Sequence, residues 1–266
     1  MAFVTPDPVH FLIASDVDGT LFTTPEKRLE PGMMELMRTL PQYGGVFCIA
    51  SGRSWPSLQE AFAPVVDSVL FLAENGARAY WHGELAYTVT MPQEPCRALV
   101  EQLAARPDCE VRINTLVDNY CILQKGVQPP PRAPGMNFQI IQSFAEIEGE
   151  ITKVCAYFPA GAAAPAKELL PQWQSLGAMM TGVQWIDFTC AGKGIGLQRA
   201  CEFFKVPLEH TAAFGDYFND APMLELTGHP YLMASAPAEL KARFPMQSTS
   251  VYQTLTQQVL PEFAKL

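Results

Sequence analysis

A chain of 266 residues, 48% hydrophobic and 17% charged, has the material for one large or two medium packed domains, a composition that excludes disordered and fibrous chains. Its formal net charge of −9, from 27 acidic against 18 basic residues with no Lys/Arg run, excludes a nucleic-acid binder that works through a basic surface. No uninterrupted apolar run reaches about 18 residues, which excludes an ordinary membrane-spanning helix.

Residues 1–10 carry no cationic segment leading into a long apolar stretch. The seven cysteines (48, 96, 109, 121, 155, 190 and 201) are odd in number, widely spaced and free of any C-x-x-C pair. Most lie in apolar stretches and read as free thiols. The expectation is a soluble protein of a reducing, cytoplasmic setting.

In chain order, residues 10–16 read as a buried strand. Residues 31–40 follow as a helix, with Met33, Met34, Met37 and Leu40 at helical spacing. Gly44-Gly45 breaks it. Strands are then expected at 46–50 and 69–73, with a short helix at 55–62 between them. Continuous apolar strands separated by helices imply parallel βαβ units covered on both faces. The middle of the chain differs. A hairpin is expected at 79–89 around His82-Gly83, a helix at 92–105, strands at 110–116 and 119–124, and a proline-rich loop at 128–135. A strand at 152–158, a helix at 162–176 and a strand at 184–188 complete it. The last part returns to alternation: helices at 196–204, 221–226, 237–243 and 251–263, strands at 211–214 and 231–234. The fold class is therefore α/β: a doubly wound parallel sheet over 1–82 and 189–266, interrupted by an α+β domain over 83–188.

Four segments at strand ends or helix starts of that core carry chemistry, where ligands of such sheets bind. The first is Asp16-Val17-Asp18-Gly19-Thr20. Residues i and i+2 of a strand share a face, so two carboxylates would crowd one space unless a cation or proton offsets them. A plain Asp-Gly turn is the alternative. The second is Ser51-Gly52-Arg53, where a hydroxyl and amides suit a phosphate oxygen, or where Ser51 or Ser54 caps the next helix. The third is Gly192-Lys193-Gly194, a lysine that can approach an anion closely or simply be solvated. The fourth is Gly215-Asp216-Tyr217-Phe218-Asn219-Asp220. Asn219 or Asp220 can cap the following helix, but a cap does not account for Asp216.

The order D-x-D-G-T, S-G-R, G-K-G, G-D-x-x-N-D resembles the haloacid dehalogenase (HAD) superfamily, with all its motifs present across essentially the whole chain. Within it the chain is similar to the Cof-type phosphatases, whose C2 (type IIB) cap lies between the second and third motifs. The long insertion before Lys193 and the segment Glu74-Asn75-Gly76-Ala77 fit that subgroup. The resemblance implies that Asp16 is the nucleophile and Asp18 the general acid and base. It implies Mg²⁺ held by the Asp16 side chain, the Asp18 backbone carbonyl and Asp216. Ser51, Gly52, Thr20 and Lys193 would bind the phosphoryl group, and Asn219 and Asp220 would support the site. Arg53, Asn75, Lys153, Trp185 and, in the cap, Asp187 are candidate substrate contacts. Tyr217-Phe218 departs from the small or polar residues usual in the fourth motif.

The implied activity is Mg²⁺-dependent hydrolysis of small phosphorylated metabolites, sugar phosphates foremost, with no nucleic-acid or membrane partner. A phosphomutase on sugar phosphates and a noncatalytic binder of phosphorylated ligands are the competing readings. Oligomeric state is left open.

Overall fold

The computed structural model describes residues 8–24, 26, 28–123 and 138–265. The expected proline-rich loop and the end of the strand expected at 119–124 fall outside these residues. Contacts divide the chain into two units, residues 1–88 with 192–266, and residues 89–191.

The first unit starts with β1 (Phe11–Ser15), buried along its whole length. Then come α1 (Met33–Thr39), β2 (Gly45–Ala50), α2 (Trp55–Ala61), β3 (Val69–Ala73) and the hairpin β4 (Arg78–Trp81) and β5 (Glu84–Thr88). Alternation along the strands makes two cores. Ile13, Phe47, Ile49 and Phe71 face Met33 and Met37, while Leu12, Ala14, Cys48 and Leu72 face the other side.

The second unit holds α3 (Gln93–Ala104), β6 (Glu110–Thr115), β7 (Asn119–Ile122), β8 (Gln139–Ile140), β9 (Ile151–Tyr157), α4 (Ala163–Gln172), β10 (Met179–Gly182) and β11 (Trp185–Phe188). Its sheet runs β10-β11-β9-β6-β7-β8. Val111, Ile113, Val154, Ala156, Ile186 and Phe188 share one core with Leu99 and Leu103 of α3 and Leu169 of α4. The intervening residues Arg112, Lys153, Cys155, Trp185 and Asp187 lie on the opposite face. The edge strand β10 was not expected. All its residues are exposed, so it shows none of the alternation that marks a half-buried strand.

The chain returns to the first unit with α5 (Lys193–Phe204), β12 (Thr211–Gly215), α6 (Ala221–Leu226), β13 (His229–Met233), α7 (Ala238–Arg243) and β14 (Gln247–Ser248). The helix expected at 251–263 is interrupted by a wider π turn over Leu255–Val259. Pro261 lacks the N–H that would bond back four residues, and its ring crowds that carbonyl.

The first unit's sheet runs β14-β13-β12-β1-β2-β3-β4-β5. It is parallel from β14 to β3, with β4 and β5 added antiparallel. The expected boundary at 82/83 is corrected here. It falls inside the hairpin turn, and β5 pairs with β4 (Arg78↔Thr88, Trp81↔Glu84), so 83–88 stay with the first unit. The return point lies three residues later than expected, at 191/192 rather than 188/189.

Register positions the site. Ser15 lies beside both Ile49 of β2 and Phe214 of β12. The residues just beyond these strands, Asp16, Ser51 and Asp216, therefore emerge at one edge of the sheet. Connections leave β1 to opposite sides there, the switch point where such sheets open a crevice. No disulfide links the cysteines among the described residues. Among the described residues no helix is long and apolar enough to cross a membrane.

Candidate active site

The Asp16 amide donates to the Phe214 carbonyl (3.0 Å), which extends the β1–β12 ladder by one bond. The chain then turns back, with Phe22 N–H to Val17 C=O (2.7 Å) and Gly19 N–H to Phe22 C=O (3.1 Å). β1 has therefore ended before Asp18, and the expected crowding of Asp16 with Asp18 on one strand face does not occur. Asp16 is buried, whereas the Asp18 side chain is 48% exposed and pairs with Arg53.

The crowding arises from other carboxylates. Oxygens of Asp16, Asp216 and Asp220 lie within 4.8 Å of one another. The Lys193 ammonium, 1% exposed, donates to Asp16 Oδ1 (2.5 Å) and Asp220 Oδ1 (2.6 Å). Gly194 permits this placement: a Cβ there would lie 2.8 Å from the Pro222 carbonyl, so only glycine brings the start of α5 against α6. The other Asp220 oxygen accepts from the backbone N–H groups of Asp216 (2.9 Å) and Tyr217 (3.0 Å). Asp220 thus fixes the turn that presents Asp216. It does not cap α6 with its side chain, and neither does Asn219, which instead donates to Asn75 Oδ1 (3.2 Å).

Thr20, expected on a phosphate, spends its hydroxyl on Asp216 Oδ1 (3.1 Å). Gly19 sits at φ 95°, and a Cβ there would be 2.3 Å from Asp216 Oδ2. A side chain at this position strains the turn and displaces the carboxylate together. Gly19→Ala is expected to cut turnover by about 100-fold, the cost of misplacing a reacting group by an ångström, with far-UV circular dichroism unchanged. Normal turnover would show that Asp216 tolerates displacement.

Ser51 is buried, and its Oγ accepts the Arg53 N–H (3.2 Å). Neither Ser51 nor Ser54 caps α2 with its side chain. Among the described residues the Ser51 O–H has no acceptor, so it can donate to a ligand oxygen. The turn at 74–76 braces this loop. Asn75 N–H bonds to Ser51 C=O (2.8 Å) and Glu74 N–H to Arg53 C=O (2.9 Å), with Glu74 and Asn75 both at positive φ. Arg53, expected as a substrate contact, grips Asp18 instead. Its Nε donates to Oδ2 (2.7 Å) and its Nη2 to Oδ1 (2.5 Å). Nothing in the sequence signals that pairing, which joins residues 35 apart across two loops.

Asp16, Asp18, Ser51, Gly52, Arg53, Asp216, Tyr217 and Asn219 line one cavity of about 470 Å³. Burial is the main reason the Asp16 carboxyl is pushed up to about 7. Lys193 opposes that rise and Asp220 adds to it. Burial, then the Asp220 charge, also raise Asp216. Burial works against the Lys193 ammonium, but Asp220 and Asp16 outweigh it and hold the lysine charged.

Three carboxylates against one ammonium leave a surplus of negative charge, with hard oxygen donors only, which fits Mg²⁺. Asp220 has both oxygens engaged by donors, so Asp16 and Asp216 are the side chains with oxygens for a metal. The remaining sequence candidates lie in the second unit. Lys153 is paired with Asp187 (2.5 Å). Trp185 stands beside Tyr157 (4.9 Å between rings) and the Arg112 guanidinium (5.1 Å). Arg112, which the sequence did not single out, is buried and bonded to Glu110 (2.5 Å).

The sequence profile of the haloacid dehalogenase-like hydrolases matches residues 13–254, a span containing every group of this cavity. The chain belongs to that family. This HAD-family chain resembles the 5-amino-6-(5-phospho-D-ribitylamino)uracil phosphatase YbjI of Escherichia coli, 25% identical over 245 residues that span 87% of this chain and 88% of YbjI. Among solved structures, the HAD phosphatase BT1666 of Bacteroides thetaiotaomicron superposes with a TM-score of 0.74 at 22% identity, over 100% of this chain and 99% of its own. The subclass IIB sugar phosphatase BT4131 gives 0.68 at 20% identity, over 96% and 100%. These likenesses carry the HAD fold, a Rossmann-like core with an inserted α+β unit. The protein is a HAD-type hydrolase, an enzyme of the phosphatase kind.

Proposed function

We propose that this enzyme is a Mg²⁺-dependent phosphatase acting on small phosphorylated metabolites, sugar phosphates foremost, through an aspartyl phosphate on Asp16. The observation that carries this reading is a buried carboxylate facing a cavity and held by a buried lysine (Asp16 Oδ1 to Lys193 Nζ, 2.5 Å). A carboxylate so held presents its other oxygen for in-line attack.

Asp16 attacks phosphorus. An O–P bond forms, the ester P–O bond breaks, and the departing oxygen takes a proton from Asp18. Asp18 then removes a proton from water, which attacks phosphorus, releases inorganic phosphate and regenerates Asp16. The Ser51 hydroxyl and the Gly52 backbone supply donors to the phosphoryl oxygens, and Lys193 offsets charge as it builds. Thr20 serves by orienting Asp216. Mg²⁺, held by Asp16, Asp216 and the Asp18 backbone carbonyl, would add the positive charge that the lysine alone does not provide.

Sugar phosphates are favoured by two of the similar proteins. YbjI acts on a phosphoribityl compound and BT4131 is a sugar phosphatase. In the second unit, Lys153 is paired with Asp187 and Arg112 with Glu110. Lys153 and Trp185 stay as proposed substrate contacts.

The test is phosphate release from sugar phosphates, nucleotides and p-nitrophenyl phosphate, with Mg²⁺ or EDTA and Asp16→Asn as the blank. Metal-dependent release is the expected result. Phosphate moved within the sugar and not released would identify a mutase. In the same assay Asp216→Ala is expected to raise the Mg²⁺ needed for half-maximal activity by about 10-fold or more. An unchanged titration would remove Asp216 from the metal site.

A further inference from the structure

Asp18 needs a fixed orientation for the task assigned to it. It stands on a turn beyond the end of β1, and its side chain is 48% exposed. A carboxyl in that setting samples several rotamers in water, whereas proton transfer needs it within hydrogen-bond reach of one oxygen. The structure supplies a restraint. Arg53 closes on Asp18 with two parallel bonds, Nε to Oδ2 at 2.7 Å and Nη2 to Oδ1 at 2.5 Å. This is the fork geometry by which arginine, and not lysine, fixes a carboxylate.

Arg53 is itself fixed. Its guanidinium lies over the Phe22 ring (5.3 Å to the centroid) and its side chain is 19% exposed. Its N–H is bonded to Ser51 Oγ and its C=O to the Glu74 N–H. Phe22 follows Asp18 on the same turn and bridges back to it, so one short segment carries both the carboxylate and the floor beneath its clamp. Each Asp18 oxygen accepts one hydrogen bond from Arg53. Arg53 and Asp18 line the same cavity as Asp16. An ion pair this exposed contributes little to stability, so orientation is what it has to offer.

We propose that Arg53 is the positioning residue of the acid–base group, holding the Asp18 carboxyl at the cavity in the orientation from which it exchanges protons with the leaving oxygen and then with water. This rests on the phosphatase reading above. It differs from a substrate-binding role for Arg53, because the effect passes through Asp18.

The test is a double-mutant cycle of Arg53→Met and Asp18→Asn on the holoenzyme with Mg²⁺, read with two substrates. One is p-nitrophenyl phosphate, whose leaving group needs little protonation. The other is the sugar phosphate that the wild type turns over fastest. Arg53→Met is expected to lower kcat/KM, which reads formation of the aspartyl phosphate, by about 100-fold on the sugar phosphate and by no more than about threefold on p-nitrophenyl phosphate. Added to Asp18→Asn it should cost nothing further, Arg53→Lys should recover part of the loss, and Tm should stay within about 3 °C. Equal losses of kcat/KM on both substrates, or losses that multiply in the double variant, would overturn the proposal. A wild type inert on every ester overturns the phosphatase reading instead. The clamp then stands or falls on crystal structures, where an Asp18 rotamer unchanged in Arg53→Met would sink it.

Discussion

Asp16→Asn is expected to abolish phosphate release to the level of the EDTA blank while making the metal-free protein more stable at pH 8. The two effects have one origin. Lys193 bonds two buried carboxylates, Asp16 and Asp220, but Asp220 has its other oxygen taken by the Asp216 and Tyr217 amides, and it is Asp16 that lines the cavity. An amide at that position is not a nucleophile, so no covalent intermediate forms. The stability gain follows from proton linkage. The folded carboxyl is pushed up from 3.8 to about 7, chiefly by burial. Between those values the native state binds the proton more tightly than the unfolded chain. Folding is therefore favoured at low pH, loses ground as pH rises through this window, and bears the whole cost of the buried charge above it.

The neutral amide carries no such cost. Urea unfolding in EDTA at pH 4.5 and pH 8 checks this. The wild type should lose more stability than the variant across that interval, and saturating Mg²⁺ at pH 8 should restore the wild type, because the metal takes the place of the proton. The same competition predicts Mg²⁺ affinity that rises with pH up to about 7 in the wild type. Parallel stability profiles for the two proteins would mean that Asp16 is not strained by its burial. Residual turnover in the variant would move the nucleophile elsewhere.

The chemistry of the cavity was legible where a strand ends. Asp16 and Asp216 each follow a continuous apolar run, and a carboxylate at the end of such a run has no packing role. Lys193 between two glycines was legible as an anion-seeking group, although what it seeks in this structure is Asp16 and Asp220. The pairing of β1 with β12, 196 residues apart between Thr20 and Asp216, could come only from the order of the motifs. Neither periodicity nor composition brings those ends together.

Directions of side chains were not legible. Residues i and i+2 share a face only while the strand continues, and the turn at Val17 sends Asp18 to Arg53 while Asp16 stays inside. The edge strand β10 and the true domain boundary were missed for a related reason. An exposed strand has no apolar face to betray it. A hairpin that adds to the first sheet looks, residue by residue, like one that opens the next.

Lys193→Met is the substitution expected to damage both fold and function most. Methionine keeps most of the apolar stem and removes the ammonium, so packing is nearly conserved and the change is one of charge. It strips the partner from two buried carboxylates, each within 2.6 Å of Nζ, with an Asp216 oxygen also inside the 4.8 Å cluster. Removing one side of a buried ion pair costs about 3–5 kcal/mol because the remaining charge is uncompensated, a large share of a typical folding free energy of about 5–15 kcal/mol. Turnover should fall by a further factor of about 100–1,000 in the folded fraction, since a preorganised charge beside the reacting group is lost.

Two comparisons separate charge from packing. Mg²⁺ should raise the Tm of Lys193→Met more than it raises that of the wild type, because the ion supplies the missing positive charge. The double variant Lys193→Met with Asp220→Asn should recover stability without recovering activity. Its Asn carbonyl can still accept from the Asp216 and Tyr217 amides, and one buried charge has gone. Lys193→Arg should not substitute, since a planar fork does not fit a fully buried site built around a single ammonium donor. If Lys193→Met melts with the wild type in EDTA, the carboxylates hold their protons without the lysine, and the charge balance inferred for this site is wrong.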